Sequence, residues 1–292
     1  MDQANTLRTL YENQDGLAPN VSNMRTRVFS FTSGKGGVGK TSIVSNLAIE
    51  LTRSGNRVMI FDADLGLANI DVMLGLNCRY NLTHLLNGEM RLNDILAKGP
   101  EGILILPASS GVEEMVNLTD EQKNVLLSEM EAVGSQIDYL LIDTSAGING
   151  NVMYFNTSAH ETMIVVTPEP TSITDAYALI KVMSQNYQHK RFQILINQAQ
   201  NETSALDVYK NLLTVSDRYL SVSLNYLGHI PHDPQLKRCV MRQKAAVAAA
   251  PESPFSKAIR ALSERVQGLM IQPHATGNAV FFWRTMFESQ TA

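Results

Sequence analysis

The chain has 292 residues, 44% hydrophobic and 18% charged, with a formal net charge of −4. That suffices for one well-buried α/β domain with modest appendages, and it argues against a protein that coats nucleic acid nonspecifically. Cys78 and Cys239 lie in no C-x-x-C frame, and no apolar run approaches the ~20 residues of a spanning helix, so reduced thiols in a cytoplasmic protein are expected.

At the N-terminus, Ala4, Leu7 and Tyr11 fall at i, i+3 and i+7 with Leu10 beside them, the pattern of a short amphipathic helix. Positions 13–23, rich in Asn, Gln, Asp, Gly and Pro, read as a flexible linker. Residues 1–23 are therefore set apart from a body spanning 24–272. A helix so short is marginal alone, which implies that it docks on something. Within the body, strands are predicted at 28–32, 57–61, 103–106, 139–142, 162–166, 191–196 and 224–230. Helices are predicted at 41–53, 119–133, 171–186, 203–216 and 255–269. Strands this uniformly apolar are buried on both faces. The predicted fold class is α/β, a mostly parallel sheet with helices on both sides and ligands beyond the carboxyl ends of its strands. The stretch 273–277 breaks the last helix before a tail, 273–292. There Val280, Trp283, Met286 and Phe287 share one helical face, opposite Arg284, Thr285 and Glu288.

Between the first strand and the first helix, Gly34-Lys35-Gly36-Gly37-Val38-Gly39-Lys40-Thr41 completes the frame G-x-x-x-x-G-K-[ST]. This strand–loop–helix context predicts a P-loop holding a nucleoside triphosphate. Its glycines let the backbone N–H groups from Gly34 to Ser42 approach phosphate oxygens at the positive end of a helix dipole. Lys40 is expected to reach the β- and γ-phosphates, and the Thr41 hydroxyl to ligate Mg²⁺. After the second strand, Asp62 and Asp64 are spaced to point to one side, so that one can support the magnesium shell while the other orients water. After the fourth, Leu140-Leu141-Ile142-Asp143-Thr144-Ser145-Ala146-Gly147 fits a Walker B element, with Asp143 holding Mg²⁺ through its waters. Each of these aspartates could instead cap a helix. Hydrolysis in such a site needs mainly positioning and charge neutralisation, assigned to Asp64 for water and to Lys40, Thr41 and Lys35 for charge.

The second lysine, Lys35, gives the loop the deviant form found in MinD/ParA ATPases. Together with Asp62-Ala63-Asp64-Leu65-Gly66-Leu67-Ala68-Asn69-Ile70-Asp71, the Walker B run, Glu169-Pro170-Thr171-Ser172-Ile173-Thr174-Asp175 and Ile230-Pro231-His232-Asp233, it resembles the flagellar (FlhG- or FleN-type) branch of that family, over nearly the whole chain. The resemblance implies a slow, ATP- and Mg²⁺-dependent switch that dimerises when ATP-bound and regulates flagellar number and placement. Lys35 would cross to the partner subunit's phosphates. Asn197 would read adenine, although a turn-forming asparagine after a strand is the plain alternative. Pro231 and Asp233 would close over the base mainly through backbone, and Glu169 and Asp175 would form the dimer and partner surface. Gln3, Leu7 and Arg8 match the segment that engages a flagellar GTPase related to signal-recognition-particle proteins. A flagellar switch protein or transcription regulator is a further expected partner. The aromatic tail face implies reversible attachment to the inner face of the cell membrane, although Arg284 is its one cation, so the tail can equally fold onto the core. Two other classes fit the sequence less well. A ParA-type DNA-partitioning ATPase needs a basic surface, against which the acidic net charge and the lack of Lys/Arg clusters in the sequence argue. A redox relative needs cysteines placed to hold a cluster, and Cys78 and Cys239 are not so placed.

Overall fold

The strands carry apolar residues on both faces, and the sheet they form is covered on both sides accordingly. A computed structural model describes residues 26–64, 70–107 and 119–270. The expected N-terminal helix with Gln3, Leu7 and Arg8 lies outside the described residues, as does the tail with Val280, Trp283, Met286 and Phe287. In chain order the elements are β1 (Arg27–Ser33), α1 (Lys40–Arg53), β2 (Val58–Ala63), α2 (Ile70–Leu74), α3 (Leu82–Leu86), α4 (Leu92–Ile95), β3 (Ala97–Lys98), β4 (Leu104–Pro107), α5 (Asp120–Gly134) and β5 (Tyr139–Ala146). There follow α6 (Gly150–Ser158), β6 (Glu161–Val166), α7 (Pro170–Asn186), β7 (Arg191–Ala199), α8 (Glu202–Tyr219), β8 (Ser223–Pro231), α9 (Pro234–Met241), α10 (Ala246–Ala249) and α11 (Pro254–Gly268).

The strands make one sheet in the order β3-β4-β2-β5-β1-β6-β7-β8, parallel throughout except for the short β3–β4 pair. Alternation along each strand divides the core. Phe29, Phe31, Ile60 and Leu141 pack with α1 and α11 on one face. On the other face, Val28, Phe61, Leu140 and Ile142 pack with α3, α4, α5 and α6. Ile164, Val166 and Ile194 pack with α7 and α8. Each strand and helix predicted within the body is present, and their ends move by a few residues. The helix expected from 119, for example, begins at Asp120 because the Thr119 side chain caps it, in a reciprocal pair with Gln122. The short helices α2, α3, α4, α6, α9 and α10 were not expected.

This topology concentrates chemistry at one edge of the sheet. β1 and β5 are neighbours, so the P-loop leaving β1 lies beside the Walker B strand, and Gly147 N donates to Ser33 O at 2.9 Å to pin the two segments together. β2 lies on the other side of β5, in a register that sets Asp62 opposite Asp143.

Candidate nucleotide site

The loop from Ser33 to Lys40 ends on Gly39, whose φ of 94° is left-handed, and Gly37 has φ of 78°. No side chain caps α1. The first bond into that helix is Ile43 N to Gly39 O, so the amides of Lys40, Thr41 and Ser42 have no carbonyl partner within the helix. An N-terminus left open in this way suits an anion. Gly34 is required for a different reason. A Cβ there would collide with the backbone of Asp175 in α7, so loop and helix are in direct contact.

The two lysines of the loop go separate ways. Lys40 is buried, with its Nζ 2.8 Å from Ser33 Oγ. Burial lowers its pKa, and the charges of Asp143 and Asp64 oppose that shift. Lys35 turns outward. Its ammonium sits 2.5 Å from a Glu169 carboxylate oxygen and donates to Thr171 Oγ1 at 3.0 Å, with the lysine and glutamate side chains 38% and 59% exposed. Glu169 and Asp175 both belong to the start of α7, so the structure brings Lys35 together with the surface expected of them.

Asp143 is fully buried within β5, and neither carboxylate oxygen has a hydrogen bond of good geometry. Burial pushes its pKa up to about 6, while the nearby Thr41 hydroxyl and Lys40 charge pull it down. Asp62 is pushed up to about 7, by burial first and then by the negative charge of Asp143. Its Oδ2 accepts from Ile70 N at 3.3 Å and its Oδ1 from Asp64 N at 3.4 Å. Among the described residues no three acidic, histidine or cysteine side chains cage a metal by themselves. That donor set fits Mg²⁺, which keeps several waters and takes remaining ligands from phosphate. Thr41, Asp143 and Asp62 are the groups that would hold it, and the orphaned Asp143 oxygens are what a bound cation would satisfy.

The residues expected to contact the base lie at the ends of β7 and β8. Asn197 is buried at the end of β7, and its Nδ2 donates to Val38 O at 2.6 Å, directly beneath the P-loop. It thus supports the loop, a role that sequence reasoning did not assign. Asp233 caps α9 through Gln235 N at 2.8 Å and holds Phe255 N at 3.1 Å. Burial raises its pKa, but these amides outweigh that and leave it below the usual carboxylate range. Its side chain is therefore committed to structure. Ser33, which receives Lys40, was also not singled out, and its position as the last residue of β1 is the signal that could have found it.

A P-loop at the end of a central parallel strand, beside a Walker B aspartate on the neighbouring strand, defines a P-loop nucleoside triphosphatase. A family profile described as "ParA: NUBPL iron-transfer P-loop NTPase" matches residues 25–267. The chain is 41% identical over 256 residues to the antiactivator FleN of Pseudomonas aeruginosa, covering 88% of this chain and 91% of that protein. It is 36% identical over 253 residues to the flagellum site-determining protein YlxH of Helicobacter pylori, covering 86% and 84%. The fold matches MinD of Pyrococcus horikoshii, solved with Mg-ADP, with a TM-score of 0.64 and 28% identity over 82% of this chain and 96% of that one. The chain belongs to the ParA/MinD family of P-loop ATPases, on the branch that includes FleN.

Proposed function

We propose that the protein is an ATP-driven dimerising switch that regulates flagellar number and placement. The observation that carries the dimer is the divergence of the two loop lysines. Lys40 is buried beside Ser33 and serves the chain's own nucleotide, whereas Lys35 is held at the surface where a second copy's triphosphate can draw it off Glu169. The names of FleN and YlxH support the flagellar role, and the Mg-ADP complex of MinD supports ATP with Mg²⁺ as the ligand.

In this reading the P-loop amides from Gly34 to Ser42 cradle the phosphates, and Mg²⁺ held by Thr41, Asp143 and Asp62 would neutralise charge on them. Asp64 orients the attacking water, Lys40 and the trans Lys35 stabilise charge on the transferring group, and Asn197, Pro231 and Asp233 surround adenine. Glu169 and Asp175 form the dimer and partner surface. Hydrolysis releases the segments after Asp64 and Asp143 and resets the switch. Turnover by a paired site rises steeply with protein concentration. Lys35→Ala should abolish that dependence and most of the turnover while leaving binding of a fluorescent ATP analogue intact. Turnover per chain that stays constant with concentration, or an unimpaired Lys35→Ala enzyme, would contradict the reading.

The same reading gives Gln3, Leu7 and Arg8 to a flagellar GTPase and the tail face of Val280, Trp283, Met286 and Phe287 to the inner membrane surface, with a flagellar switch protein or transcription regulator as further partners. A peptide of residues 1–12 should accelerate GTP hydrolysis by that GTPase, and removal of 278–292 should abolish ATP-dependent pelleting with liposomes. An inert peptide or unchanged pelleting would remove the corresponding role. Among the described residues no helix is long and apolar enough to cross a membrane.

A further inference from the structure

Away from the phosphate loop, α2 and α9 wall a cavity of about 710 Å³. From Pro234 to Pro251 the chain has Lys237, Arg238, Arg242 and Lys244 and no acidic residue, in a protein whose net charge is negative. Three of these, Arg238, Arg242 and Lys244, line the cavity. All three are exposed, and among the described residues their side chains have no ion pair or hydrogen bond. In the sequence these four cations over eight positions read as an ordinary solvated helix face and not as a basic cluster. Folding gathers three of them around one concave surface. Its lining includes the apolar Leu74 of α2, which is buried, and Ala248 of α10, which is exposed, and Met241, 77% exposed, lies on α9 between the arginines in sequence. Gln243, held at φ 53° where side chains other than glycine rarely sit, closes the turn between the cationic residues.

We propose that this cavity docks an acidic, amphipathic segment of a protein partner, its carboxylates taken by Arg238, Arg242 and Lys244 and its apolar side chains by Leu74 and Ala248. Arginine forks match carboxylates in pairs, and burial of the apolar lining on docking supplies the remaining affinity. Shape distinguishes this occupant from a polyanion. Duplex nucleic acid and lipid surfaces engage cations spread along a ridge or plane, whereas these converge on a cavity whose lining includes apolar residues. The location gives docking a consequence. α2 starts at Ile70, whose N–H holds Asp62, and its Met73 receives the Ser42 hydroxyl at 3.6 Å. The opposite wall, α9, starts from the Asp233 cap. An occupant therefore touches one element tied to the magnesium end of the nucleotide site and another tied to the base end.

The test titrates the full chain against a fluorescein-labelled peptide of Glu, Asp and Leu residues, with a Gln/Asn counterpart as control. Fluorescence anisotropy should rise saturably with the acidic peptide and at least about tenfold more weakly with the neutral one. The double variant Arg238→Gln/Arg242→Gln should weaken the acidic peptide by about tenfold or more, and Lys244→Glu, as an independent single change, by a similar factor. Binding of a fluorescent ATP analogue should stay unchanged in both variants, which also separates this proposal from the switch reading. Absence of acidic-peptide binding, equal binding by the variants or by the neutral peptide, or tighter Arg238/Arg242-dependent binding of duplex DNA or phosphatidylglycerol vesicles would overturn it.

Discussion

Asp62 and Asp143 face each other across two strands, and both are buried carboxyls whose pKa values are raised, to about 7 and about 6. The consequence for pH has a definite sign. A carboxyl that keeps its proton in the fold to a higher pH than in the unfolded chain makes the native state bind more protons between those two values. The stability of the nucleotide-free protein should therefore fall as pH rises from about 4 to about 7. Asp62→Asn removes one titrating partner. The thermal midpoint of the variant, scanned over that window without nucleotide, should fall less steeply than that of the wild type. Parallel curves would show that the aspartate carries no such burden. At this scale the sequence was informative where a residue type is dictated by chemistry, as for Lys40, Thr41 and Asp143. It was silent on Ser33 and on the support that Asn197 gives Val38, because both depend on which side chain a folded loop brings within 3 Å.

Elements differ in how far they can be read before folding. The long strands were readable because β1, β2, β5, β6 and β7 are buried along most of their length and each carries a cluster of apolar residues on both faces. α6 was not, because Gly150, Asn151, Asn156 and Thr157 favour other conformations. What makes it a helix is the Asn149 cap together with burial of Val152, Met153 and Phe155 against the sheet. α2, α3, α4 and α10 have four or five residues each, too few for a helical period to show. The contact between the P-loop and α7 is tertiary and equally hidden. Gly34 packs against the Asp175 backbone with no room for a methyl group. Gly34→Ala should cost roughly 1–3 kcal/mol of stability, as overpacking of a close contact does. It should also weaken binding of an ATP analogue, because the loop must move away from α7. Denaturant unfolding and analogue titration both read this, and wild-type values in the two would remove that contact from the account.

For the whole molecule, the fold places every group of the nucleotide site at the carboxyl edge of one sheet except Lys35, which leaves it. Lys35 is held in an exposed ion pair of the kind worth at most about 1 kcal/mol, and the proposed dimer rests on that contact being exchanged for a phosphate supplied by a second copy. The proposal of a second copy comes from the resemblance carried by the deviant loop. Periodicity and composition alone could not supply it, because they carry no information about a second chain. The most direct measurement is the solution mass of Asp64→Ala, chosen to hold Mg·ATP without turning it over, by light scattering coupled to size exclusion. The account requires twice the chain mass with Mg·ATP and the single-chain mass with Mg·ADP, with Lys35→Ala in the same background staying single. A single-chain mass at saturating Mg·ATP, or a dimer indifferent to Lys35, would contradict it.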